Sequence, residues 1–125
     1  MVREFVRTAN APQPAGPYSQ AIKAGPFVFV AAQGPVDPKT GKMADDVESQ
    51  TRQTLLNIKA ILEASGSTMA DVVKVSVFLK NAGDFSKMND VYKTFFSQNP
   101  PTRTTVEAKF AGPMLVEIDA IAFHD

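Results

Sequence analysis

The sequence predicts an α+β fold: one sheet with two helices packed on the same side. Three observations predict it. Six short segments have strand character, two segments carry apolar residues at helical spacing, and their order is β-β-β-α-β-α-β-β. The chain has 125 residues, 44% of them hydrophobic, with no internal repeat, low-complexity tract or linker. Residues 1–125 are therefore read as a single domain large enough to build its own core.

Val2 to Thr8 is expected to form a short first strand. Ala11-Pro12-Gln13-Pro14-Ala15-Gly16-Pro17 follows, and its prolines exclude helix and ladder alike. Ser19 to Ala24 leads through Gly25-Pro26, a turn signal, into Phe27-Val28-Phe29-Val30-Ala31-Ala32. That run has no polar face, which predicts a strand buried on both sides. Gly34 to Gly41 is a loop by composition. In the first helix, Asp45 and Glu48 resemble a capping box. Val47, Thr51, Thr54, Leu55, Ile58, Ile61 and Leu62 give it one apolar stripe, and Gly66 ends it. Val72 to Lys80 alternates as a strand, with Val73, Val75, Val77 and Leu79 on one side and Phe78 breaking the pattern. Asp84 is placed as the cap of a second helix with Phe85, Met88, Val91, Tyr92 and Phe95 inside. Asn99-Pro100-Pro101 ends that helix. Arg103 to Ala108 and Met114 to Phe123 complete the sheet.

Composition excludes several kinds of chemistry. There is no cysteine, hence no disulfide, thiolate metal site or cysteine nucleophile. One histidine, His124, cannot build a multi-histidine metal site and is expected to be frayed and solvated. Thirteen basic residues balance thirteen acidic ones, so overall charge offers nothing to nucleic acid or an anionic membrane. No stretch reaches the length of a membrane helix, and the first residues lack the apolar run of a secretory signal. The expectation is a soluble, cytoplasmic protein. Two helices cover only one face of a sheet, yet Phe78, Leu115, Ile121 and Phe123 are assigned to the other. A mixed apolar and charged face of that kind predicts a homo-oligomer.

Carboxylate, guanidinium, phenol and backbone remain as candidate chemistry. Arg103, just past Pro100-Pro101, has a planar fork suited to a substrate carboxylate. The competing reading is a structural salt bridge to Glu107 or Glu117. Glu117 stands mid-strand among Leu115, Val116 and Ile118, where desolvation raises a carboxyl's pKa and suits it to acid–base work. The alternative is an ordinary solvated or paired carboxylate. If residues 109–113 turn a hairpin, an even register would put Arg103 and Glu117 on one face. Tyr18, held by the turn at Gly16-Pro17, either walls a pocket or is a buried structural ring. Thr105 is a candidate donor through hydroxyl or backbone. Tyr92, Phe95 and Phe96 read as helix core.

Asn10-Ala11-Pro12, Gly16-Pro17-Tyr18-Ser19-Gln20-Ala21 and Gln33 to Gly41 occur in order along the chain. Pro101-Thr102-Arg103-Thr104-Thr105-Val106-Glu107 and Val116 to Ala122 follow them. Together these motifs resemble the RidA/YjgF family of reactive enamine/imine intermediate deaminases, over nearly the whole chain. The resemblance implies a chorismate-mutase-like subunit and a homotrimer with helices outside and pockets between neighbours. It also implies hydrolysis of 2-imino acids such as 2-iminobutanoate and 2-iminopropanoate to 2-keto acids and ammonia, with neither metal nor cofactor. The imines would be those released by pyridoxal-phosphate enzymes. By position Arg103 matches the family's carboxylate-binding arginine, Glu117 the carboxylate associated with water activation, and Tyr18 the pocket tyrosine. Thr105 stands where many members have cysteine, and Ala31-Ala32 where a Ser-Gly pair is usual. Both differences bear on pocket size and preference.

Two other readings compete. The same cleft could bind small keto acids or other carboxylates without turnover, or the chain could be an RNA-acting or chaperone-like member, since relatives have been described as translation inhibitors or endoribonucleases. Neutral charge and the lack of a histidine pair or basic–aromatic stripe argue against specific RNA recognition.

Overall fold

The computed structural model describes residues 2–125. Its strands are β1 (Arg3–Val6), β2 (Ala21–Ala24), β3 (Phe27–Gln33), β4 (Val72–Leu79), β5 (Thr102–Glu107) and β6 (Val116–Phe123). Helix α1 (Val47–Ala64) lies between β3 and β4, and α2 (Phe85–Phe95) between β4 and β5. The element order is the predicted one. The six strands form a single mixed sheet in the order β1-β2-β3-β6-β4-β5.

The two helices pack on one another and on one face of the sheet. Leu55, Ile58, Ile61 and Leu62 of α1 are almost completely buried against Val28, Val75, Val77, Val116 and Ile118. Each such side chain contributes roughly 1.5–3 kcal/mol by leaving water. Helix α1 starts one residue later than its expected cap. Asp46, not Asp45, accepts the Ser49 N–H at 2.9 Å. Gly66, at φ +89°, takes the left-handed conformation that turns the chain out of the helix. Asp84 stands before α2 as expected but makes no capping bond there.

Three further sequence expectations are corrected. β3 is not covered on both sides. Val28 and Val30 are buried, while Phe27 and Phe29 are 39% and 45% exposed, because both helices lie on the other face. In β4 a register irregularity between Val72 and Lys74 lets Val72 and Val75 both point inward and turns Val73 out. Leu115 precedes β6 and packs against the core instead of belonging to the distal face.

The pairings of β4 matter most for the placement of the candidate residues. β5 and β6 form no hairpin. α2 carries the chain across so that β5 pairs parallel with β4, and β6 takes β4's other side in antiparallel register. Arg103 stands opposite Val75 and shares its helix-side face, whereas Glu117 stands opposite Phe78 on the distal face. The two candidate residues are therefore on opposite faces of the sheet.

Candidate functional site

Tyr18, Ala31, Ala32 and Glu117 come together around one open cavity of about 710 Å³. Its rim is the proline-rich segment Pro12–Ala15 on one side and Met114 on the other. Gln20, 2% exposed, fixes that rim. Its amide donates to the carbonyls of Thr8 and Pro12 at 3.1 and 2.9 Å, and its Oε1 accepts the Thr8 N–H at 2.7 Å. A segment whose prolines leave few backbone donors is thus tied down in part by a buried side chain. Tyr18 is half-exposed, and its hydroxyl accepts the Ala15 N–H at 3.2 Å. It therefore walls a pocket and is not a core ring.

Glu117 is half-buried and has no hydrogen-bond or ion-pair partner among the described residues. Burial alone pushes its carboxyl above the ordinary value of 4.5. This bears out the desolvation expected from its strand neighbours and sets aside the paired alternative.

Arg103 lines a second open cleft, of about 610 Å³, between α2 and Pro100-Pro101. Its guanidinium carbon lies 4.7 Å from the centroid of the Tyr92 ring and 5.5 Å from that of Phe85. Nη1 donates to Asn89 Oδ1 at 2.8 Å. No carboxylate pairs with it among the described residues. Glu107, one of its expected partners, instead accepts the Ala82 N–H at 2.8 Å. The salt-bridge reading of Arg103 is therefore wrong.

Thr105 lines neither cavity. It faces the helix side opposite Val77, and its hydroxyl is buried with no hydrogen-bond partner among the described residues, like that of Tyr92. Tyr92 is core, as expected, but one of its faces also carries the arginine. His124 is not free, since its Nδ1 lies 3.1 Å from Asp71 and its N–H donates to the Pro26 carbonyl at 2.7 Å.

Sequence reasoning missed the buried amides around the first cavity. Asn57 donates to the carbonyls of Gly34 and Val36, each at 3.0 Å. Gln50 accepts the Leu115 N–H and donates to the Ala44 carbonyl, both at 2.7 Å. A signal existed: Gln50, Thr54, Asn57 and Ile61 follow one another at steps of four, three and four, so two amides lie on the buried stripe of α1.

The fold and its clefts define a small α+β protein with an unneutralised arginine at one opening and a desolvated carboxylate at another. The chain belongs to the RidA/YjgF family, and the family model described as endoribonuclease L-PSP matches residues 8–124. A RutC family protein of Pyrococcus horikoshii is 52% identical over 99% of this chain and all of its own. The 2-iminobutanoate/2-iminopropanoate deaminase of Salmonella typhimurium is 45% identical over 94% of each chain. The crystal structure of Escherichia coli TdcF with bound serine superposes with a TM-score of 0.94 at 38% identity, covering 98% of this chain and 99% of that one.

Proposed function

We propose that the protein hydrolyses small 2-imino acids, 2-iminopropanoate and 2-iminobutanoate among them, to 2-keto acids and ammonia. One observation carries the reading: a guanidinium held beside an open cleft with no carboxylate, among the described residues, to neutralise it. Arg103 would take the substrate carboxylate through two parallel N–H···O bonds. The Salmonella relative's name specifies this activity, and the TdcF structure holds serine, which bears a carboxylate of the same kind.

The chemistry asks for little catalytic power, because protonated imines already react with water. Water adds to the C=N carbon while Glu117 takes one of its protons. The C–N bond then breaks as nitrogen leaves, so that R–C(=NH2⁺)–COO⁻ and H2O give R–CO–COO⁻ and NH4⁺. The reaction needs no metal or cofactor. Arg103 and Glu117 open on opposite faces of one sheet, so in this reading a second copy completes each site. A homotrimer with pockets between neighbours meets that need, and the exposed aromatic face supports it. Such a protein would work in the cytoplasm, beside the pyridoxal-phosphate enzymes that release these imines.

The test is a coupled assay in which a dehydratase generates the imine and keto-acid release is followed. Wild type should accelerate release, and Arg103→Ala should lose roughly tenfold to a hundredfold in kcat/KM, the size of a charged hydrogen-bonded contact. Glu117→Gln should lose kcat with little change in KM. Equal rates for wild type and Arg103→Ala would remove the role given to Arg103. Keto-acid binding without turnover would favour a binding module.

A further inference from the structure

Phe85, Asn89 and Tyr92 stand at steps of four and three along α2, which puts them on one face of the helix. All three meet Arg103: two by ring faces at 5.5 and 4.7 Å, the third by a 2.8 Å hydrogen bond. None of the three carries a charge. The arginine is thus held without the cancellation of its field that a carboxylate partner would bring.

We infer that this face of α2 is a positioning clamp for Arg103, fixing the plane and rotation of the guanidinium while leaving its charge for an anion in the cleft. Aromatic rings attract a guanidinium through their quadrupole, and the Asn89 carbonyl takes one N–H; neither neutralises it. Of the five N–H groups an arginine offers, Nη1 alone uses a protein acceptor among the described residues. The other charges at the cleft do not compete. Lys93 and Asp90 pair with each other at 3.6 Å, both well exposed. An arginine already ordered loses less rotamer freedom when it grips a ligand, so the clamp should appear in affinity. Phe85, Asn89 and Tyr92 are positioning residues, acting on the ligand through Arg103.

The inference rests on Arg103 gripping a carboxylate, and not on the hydrolysis, so binding and turnover are measured separately. Titration of 2-oxobutanoate into the wild-type protein gives Kd, and the coupled assay gives KM and kcat. Phe85→Leu and Tyr92→Leu should raise both Kd and KM about tenfold, with kcat changed by no more than about twofold. Phe85 is 45% exposed, so its variant folds even if that of buried Tyr92 does not. Tyr92→Phe keeps the ring and should restore the wild-type Kd. Asn89→Asp is the sharpest arm. It should weaken keto-acid binding at least about tenfold without lowering the melting temperature, because it holds the cation and neutralises it.

If Arg103→Ala abolishes binding while Phe85→Leu and Asn89→Asp bind like wild type, the clamp is overturned. If wild type binds the keto acid but leaves the imine untouched, hydrolysis fails and the Kd series still decides the clamp. If wild type binds no keto acid, the carboxylate grip and the clamp fall together, and keto-acid release in the coupled assay still decides the hydrolysis.

Discussion

In the proposed reaction, Glu117 is the residue whose titration can be followed. Burial raises its carboxyl above 4.5, and no cation or donor among the described residues pulls it back. A water-activating carboxylate must be ionised, so kcat/KM should fall as pH drops through that raised value, at a higher pH than for an exposed glutamate. Stability should move the opposite way. The folded state binds this proton more readily than the unfolded chain, so the contribution is fully present below about 4.5 and is lost as pH rises through the folded value. Glu117→Gln, which cannot ionise, should therefore raise the melting temperature more at pH 7 than at pH 4 while lowering kcat. Parallel melting curves and pH–rate profiles check both signs, and a larger gain at pH 4 would contradict the assignment. The type and position of Glu117 made its desolvation legible in the sequence. The neutrality of Arg103's surroundings was not legible, because nearby Glu107 and Glu117 offered plausible partners that the fold directs elsewhere.

Among the elements, α1 supports the first cavity without lining it. Its stripe is not uniformly apolar. Asn57 and Gln50 reach from it to the backbone of the loop after β3 and of the segment before β6, binding both cavity walls to one helix. Asn57→Ala leaves two part-buried loop carbonyls without their donor, and should cost about 1–3 kcal/mol in urea unfolding. It should also raise KM as the wall loosens. An unchanged unfolding midpoint would mean that the loop holds itself. The helix was easy to place from its period of three and four. The amides are not legible from that period, because a buried amide looks like a solvated one until distant partners are known, Val36 for Asn57 at 21 residues and Leu115 for Gln50 at 65.

At the scale of the molecule, the face of the sheet away from the helices is left uncovered within a single chain. Phe5, Ile22, Phe29 and Ile121 form one row across four strands, and the rings of Phe27 and Phe123 meet edge to face at 5.2 Å beside it. The proposed trimer would run near 40 kDa, three chains of 13.5 kDa, by light scattering. Phe29→Lys, which puts a charge in the middle of the row, should shift the protein toward 13.5 kDa and lose activity with it. A wild-type chain that elutes as a monomer would leave Arg103 and Glu117 on separate faces with nothing to join them. The doubly apolar run Phe27 to Ala32 remains informative in this light. Its prediction of two covered faces fails within one chain, yet it describes the demand that a second copy would meet.

The sequence by itself determined the number, kind and order of the elements, because hydrophobic period and turn chemistry are local properties of consecutive residues. It also determined, through the lack of cysteine and the single histidine, which chemistries the chain cannot perform. Which strands neighbour one another was decided only in three dimensions. Parallel pairing of β5 with β4 requires the α2 crossover and leaves β6 the other side of β4, a choice governed by packing between distant segments. That choice put Arg103 against the rings of α2 and Glu117 on the opposite face, where register alone had left their relation open.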